Sequence, residues 1–126
     1  MGVLSDIEIL KRVIIGQIII LEEEKRKIND DYKNYEIDID NMTDSVINEL
    51  NSLLGDLFND ACKWGDLEER WSAIKRKDDK ISNELKNKSI NRTKIRREII
   101  RNISKENKEK HNLFDKYVKK YIENLE

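Results

Sequence analysis

The sequence predicts an all-α fold: an antiparallel bundle of about four helices, some of them long and coiled-coil-like. Three observations carry that expectation. The 126 residues contain no proline and only four glycines, so nothing forces a break in a helix interior, where proline costs about 3 kcal/mol. Charged residues make up 40% and hydrophobic ones 37%, a balance that suits narrow apolar stripes on helices with wide solvated faces better than a thick core. The apolar residues also recur at spacings of three and four along most of the chain.

The first helix is marked by Ser5 with Glu8 three residues later, a capping-box spacing, and by Leu4 and Ile9 at staple positions. Its stripe runs through Ile7, Leu10, Ile14, Leu21, Ile28, Tyr32 and Tyr35. Within it, residues 13–20 (Val-Ile-Ile-Gly-Gln-Ile-Ile-Ile) are rich in β-branched side chains that also suit a strand. The helical period on both sides favours helix, and a helix apolar nearly all round is expected to be deeply buried. Glu22 with Arg26 and Glu23 with Lys27 are acid-before-base pairs at i,i+4.

Residues 36–42 are polar and read as a connection. A second helix follows, with Met42, Val46, Leu50, Leu53, Leu57, Ala61 and Trp64 on one stripe, widened by Leu54 and Phe58. Gly65 is placed as the residue that ends it and Asp66 as the cap of a third helix. That third helix carries Leu67, Trp71, Ile74, Ile81 and Leu85, interrupted by Asp78. Residues 87–92 read as the last turn, with Ser89 as a candidate cap, although no glycine or proline excludes one longer helix there. The final helix carries Ile95, Ile99, Ile100 and Ile103, then a polar stretch, then Leu113, Phe114, Tyr117, Val118, Tyr121, Ile122 and Leu125.

The formal net charge of -1 conceals an asymmetry. Twelve acids face four bases between Glu22 and Asp60, and ten bases face three acids between Lys86 and Lys110. Either the two segments neutralise each other, within a fold or between subunits, or the basic one meets an external polyanion. Cys62 is the single cysteine, which excludes an internal disulfide, and it is expected to be a small buried hydrophobe. The apolar run at 13–21 is too short to span a bilayer, which takes about 20 residues, and Glu22, Glu23 and Glu24 follow it where a signal would be cleaved. A cytoplasmic location without membrane association is the expectation.

No grouping of serine, histidine and aspartate suggests a nucleophile, and the single histidine, His111, excludes a histidine-rich metal site. Trp64 and Trp71 are expected as core anchors. The candidate metal ligands are Glu22 and Glu23 (with Glu24) in the first helix and Glu49 and Asp56 (with Asp60) in the second, since carboxylates on facing helices hold magnesium around a polyphosphate. Residues 49–58 (Glu-Leu-Asn-Ser-Leu-Leu-Gly-Asp-Leu-Phe) and 61–68 (Ala-Cys-Lys-Trp-Gly-Asp-Leu-Glu) resemble the all-α nucleoside triphosphate pyrophosphohydrolases of the MazG type. That resemblance implies magnesium as cofactor. The family's EExxE and ExxD motifs are not reproduced: a base stands where the closing glutamate of the first would fall, and Ser52 stands where the second has aspartate. Residues 1–9 and 16–20 are similar to the opening of dCTP deaminases, where a helix leads into a strand, and the similarity stops at residue 21.

The candidate polyanion-binding stripe is Arg97, Arg101, Lys105 and Lys108, which fall close together at 100° per residue; Lys94 borders it, and Arg92 and Arg96 lie further round. The leading expectation from sequence is a non-enzymatic helical interaction protein (adaptor, inhibitor or assembly subunit) without a cofactor, joined to a protein partner or to copies of itself. A magnesium-dependent nucleotide pyrophosphohydrolase or nucleotide binder, and nucleic-acid binding through residues 92–110, are the alternatives.

Overall fold

The computed structural model describes residues 3–31 and 37–105, with side chains for 7–31 and 39–102. It contains four helices: α1 (Val3–Asp31), α2 (Ile37–Phe58), α3 (Trp64–Asn87) and α4 (Arg92–Lys105). No strand occurs among the described residues, and residues 13–20 are helical. There the burial of Ile14, Ile15 and Ile18 on one face outweighs the modest helix penalty of β-branching. Val13 on the opposite side is exposed, so the segment is not apolar-buried all round.

α2 is the central element. Val46, Leu50, Leu53 and Leu57, widened by Ile47, Leu54 and Phe58, are all buried, because α2 packs on α1 along one side and on α3 along the other. Side-chain contacts set both registers. Lys11 lies over the Phe58 ring, Lys25 bonds Asp44 at 2.7 Å and Asn29 bonds Asp40 at 3.2 Å. The residue numbers of each pair total 69, so α1 and α2 are antiparallel. Arg70 with Asp56 (2.6 Å) and Lys77 with Glu49 each total 126, so α3 is antiparallel to α2 and parallel to α1. α4 then packs on both α1 and α3, while the diagonal pairs α1/α3 and α2/α4 stay apart. This cyclic order is that of a four-helix bundle.

The helix ends differ from the sequence expectation in instructive ways. α1 begins at Val3, so Ser5 lies inside its first turn rather than ahead of it, and Glu8 pairs with Lys11 at 2.9 Å. α2 starts at Ile37, inside the stretch read as a connection. It ends at Phe58, not near Gly65: Asp60 takes the left-handed conformation (φ 52), and the amides of Asp60 and Ala61 bond the carbonyls of Leu57 and Asp56. That is a Schellman motif with aspartate in the usual glycine position. Ala61 and Trp64 therefore leave the α2 stripe. Gly65 and Asp66 fall in the first turn of α3, whose cap is Lys63 without a side-chain bond.

Between α3 and α4 the chain does break. Ser89 does not cap α4; it ends α3 in a second Schellman motif, at φ 60, with its amide bonding Lys86 O and the Ile90 amide bonding Leu85 O. Ile90 and Leu85 are both buried, the apolar contact that accompanies this motif. Asn91 caps α4, its Oδ1 accepting from the Lys94 amide at 3.1 Å. Tyr32, Tyr35, His111 and the stripe from Leu113 to Leu125 lie outside the described residues.

Candidate functional site

Three charged residues stand on the inward stripes of their helices, and the fold brings them together. Glu24 occupies the stripe of α1 between Leu21 and Ile28, Asp78 that of α3 between Ile74 and Ile81, and Arg92 that of α4 ahead of Ile95 and Ile99. Glu24 is 2% exposed and Arg92 9% exposed. Arg92 donates from Nε to Glu24 Oε1 (2.5 Å), from Nη1 to the Asp78 carbonyl (3.0 Å) and Ser82 Oγ (2.6 Å), and from Nη2 to Asp78 Oδ1 (2.8 Å). Arg96, one turn on, donates from Nε to Glu24 Oε2 at 3.0 Å and approaches Asp78 at 3.5 Å.

Two carboxylates and two guanidiniums thus balance in charge, and both Glu24 oxygens are bonded. Buried ions are tolerated only when paired and hydrogen-bonded in this way. The cluster fastens α4 across the gap between α1 and α3. Lys27 and Glu98 add an outer link at 2.8 Å. Their hydrogen bond holds the Lys27 ammonium above and the Glu98 carboxyl below the ordinary range.

Below the cluster the described residues leave the gap open. A cleft of about 260 Å³ has Gln17 and Ile20 of α1 and Trp71 of α3 as walls, Val46 and Leu50 of α2 as floor and Arg96 as its upper end. No described α4 residue other than Arg96 lines it. Glu24 and Asp78, which share Arg92, give α3 an offset of 54 residues over α1 at equal height. The registers through α2 give 57, the difference between their two totals, so the estimates agree within one turn. Trp64 is therefore level with residues 7–10. It is 54% exposed, and Ile9 (60%) and Val13 (43%) are exposed beside that level.

At 100° per residue, Ile9 and Val13 fall on the same side of α1 as Gln17, Ile20 and Glu24, and Trp64 falls on the same side of α3 as Trp71 and Asp78. The face that α4 covers at its upper half thus continues downward without a fourth helix among the described residues. From Glu24 to Ile9 it is about 22 Å long at 1.5 Å per residue. The expectation that Trp64 anchors the core is corrected accordingly, while Trp71 packs partly against the core. Cys62 is half-buried, and its thiol donates to the Lys63 carbonyl at 3.6 Å.

The acids singled out from sequence are distributed elsewhere. Glu49 is paired with Lys77 and Asp56 with Arg70, both across the α2–α3 seam. Glu23 bonds Arg26 at 2.5 Å, and Asp60 occupies the turn after α2. Glu22 is exposed, its carboxyl raised by partial burial and then by Glu23. Among the described residues no group of three or more histidine, cysteine, aspartate or glutamate side chains is placed to hold a metal ion. The described carboxylates of α1 and α2 therefore do not come together as a magnesium donor set.

Arg97 and Arg101 are exposed on α4, Lys105 ends that helix, and Lys108 lies outside the described residues. Arg92 and Arg96, set apart from that stripe in the sequence, point inward to the ion cluster instead. Glu24, Asp78, Arg92 and Arg96 are the residues that sequence reading missed as a unit. Their signal was a charge on an apolar stripe in each of three helices.

The class these observations define is a small helical bundle whose fourth helix is clasped by buried ions over half of a face that the described residues otherwise leave open. Comparison of the chain with family models, with curated proteins and with solved structures finds no match. No described helix is long and apolar enough to cross a membrane.

Proposed function

We propose that this chain is a non-enzymatic interaction protein, an adaptor, inhibitor or assembly subunit, that works by presenting the open half of the α1–α3 face to another polypeptide. One observation carries the reading. Ile9, Val13 and Trp64, three of the four large exposed hydrophobic residues among those described, gather at the half of this face that α4 leaves uncovered. Contiguous apolar surface on a soluble domain marks contact sites, and tryptophan is enriched at their energetic centres.

The test is site-specific photocrosslinking in the cell of origin, with a photoreactive amino acid at Val13 and, as control, at Lys80, which is exposed well away from this face. A discrete protein adduct at position 13 and none at position 80 is the expected result. Absence of any adduct at position 13, to another protein or to a second copy, would sink the reading.

A further inference from the structure

We infer that the outer face of α4 binds the phosphate backbone of a nucleic-acid duplex, without reading its bases. The inference concerns the side of α4 turned away from α1 and α3, so it is independent of the interaction reading above. Its basis is what remains of the basic segment once the fold has neutralised part of it.

Arg92 and Arg96 are engaged by Glu24 and Asp78. Glu98 is engaged by Lys27 of α1 at 2.8 Å. Lys94, Arg97 and Arg101 are left exposed, and none of them forms an ion pair with another described residue. At 100° per residue the three fall within about 60° of one another, on a stripe about 10 Å long. Buried Ile95 and Ile99 lie on the other side of the helix, so the stripe faces outward.

α3 provides the contrast. Its exposed Lys75, Arg76 and Lys80 each have an acid three or four residues on, Asp79 or Glu84, and that helix presents mixed charge. Arg97 has no acid at those spacings. Lys86, exposed in the last turn of α3, extends the basic patch. With Ser89, Asn91 and Thr93 it lines a groove of about 510 Å³ beside the start of α4, and Thr93 is one turn from Arg97. Cations flanked by hydroxyl and amide groups are the usual partners of backbone phosphates.

The same geometry selects the polyanion. A helix lying on a bilayer turns its apolar face to lipid, whereas that of α4 is turned into the bundle. Single strands are held largely by stacking on aromatic rings, and the described part of α4 has none. Protein interfaces centre on buried aromatic or apolar anchors, and this stripe has only Ile100 at its edge. A duplex instead offers a stiff array with one charge per about 1.7 Å of axis, which cations on a packed helix can meet. With one side against α1 and α3, α4 does not enter a groove about 12 Å wide, and its contacts stay with phosphates.

The experiment is fluorescence anisotropy of a labelled, mixed-sequence DNA duplex of about 20 base pairs, titrated with the full chain at several salt concentrations. With three or four phosphates neutralised, log affinity should fall against log salt with a slope of about -2.7 to -3.6. That is a loss of about 40- to 150-fold between roughly 50 and 200 mM salt. A duplex of unrelated sequence should bind within about threefold. Arg97→Gln with Arg101→Gln should make the slope shallower by about 1.8 and weaken binding at low salt at least about tenfold. Arg76→Gln with Lys80→Gln removes the same charge from the side of α3 opposite Asp78 and should leave the slope unchanged. All four residues are exposed, so urea midpoints like that of the wild type are expected for both variants.

Absence of duplex binding at about 50 mM salt overturns the inference. So does a salt slope that survives the Arg97 and Arg101 substitutions, or one that falls equally with the Arg76 and Lys80 pair. Tighter binding to the single strand, to phosphatidylserine vesicles or to polyglutamate than to the duplex would also overturn it. The Val13 crosslink probes a different face, so either reading can fail alone.

Discussion

Replacing Glu24 by leucine tests whether the clasp, rather than the apolar stripe of α4, sets that helix in place. In the wild type both Glu24 oxygens accept from guanidiniums, at 2.5 Å from Arg92 and 3.0 Å from Arg96. Leucine removes the charge and leaves Arg92 buried with Asp78 as its sole carboxylate partner, shared with Arg96. Arg96 retains over a third of its side-chain exposure and regains water, so its share of the cost is small. Arg92 does not have that outlet. Removing one partner of a buried ion pair costs about 3–5 kcal/mol, a large part of the 5–15 kcal/mol typical of a domain.

The double variant Glu24→Leu with Arg92→Met removes both buried ions. Asp78 keeps Arg96 and is exposed enough to hydrate. We expect it to lie within about 1–2 kcal/mol of wild type, since apolar replacement of a whole buried pair is often neutral. Urea unfolding followed by helix circular dichroism measures wild type, the single variants Glu24→Leu and Arg92→Met, and the double variant. With a slope of about 1–3 kcal/mol per molar urea, Glu24→Leu loses more than roughly 1 M of midpoint and the double variant recovers most of it. A coupling energy of about 2 kcal/mol closes the cycle. Additivity of the two substitutions within about 0.5 kcal/mol would falsify the claim that these side chains act as one unit.

Three further outcomes follow from the helix ends and the outer ion pair. Ser89→Gly should raise stability by about 0.5–1 kcal/mol in the same urea assay, because serine at φ 60 carries a strain that glycine lacks; a loss of stability would mean that the Schellman turn is not formed. Asn91→Ala should cost about 1 kcal/mol through the lost cap on the Lys94 amide, with Asn91→Ser close to wild type. The Glu98 carboxyl is held low and the Lys27 ammonium high by their mutual bond. Their contribution is therefore present across neutral pH, lost on the acid side as pH falls through the lowered carboxyl pKa, and lost on the alkaline side as pH rises through the raised lysine pKa. Glu98→Gln should flatten both flanks of the stability-against-pH curve relative to wild type, and parallel curves would refute the assignment.

By itself the sequence determined the helices. Spacing of three and four placed Ile14, Leu21 and Ile28, then Val46, Leu50, Leu53 and Leu57, then Leu67, Ile74, Ile81 and Leu85 on buried stripes, as found. The polar turn between Leu85 and Ile95 was legible as a break because asparagine and serine compete for local backbone bonds. The terminating residues were not, since Asp60 and Ser89 adopt a conformation that composition assigns first to glycine. Trp64 was misplaced for the same reason: with α2 ended by Asp60, the stripe that carried the tryptophan inward no longer reaches it.

Tertiary structure alone decided which charges meet. Glu24, Asp78 and Arg92 each break a stripe in a helix that shares no local contact with the others. Their mutual neutralisation depends on α4 lying between α1 and α3, a relation across 68 residues from Glu24 to Arg92. The same packing consumes Arg92 and Arg96 internally and leaves Arg97 and Arg101 outside. Among the described residues it also leaves half of the α1–α3 face without a covering helix. Helical periodicity is a local property that one strand of sequence records, whereas the pairing of buried ions and the extent of a covered face are properties of helices placed side by side.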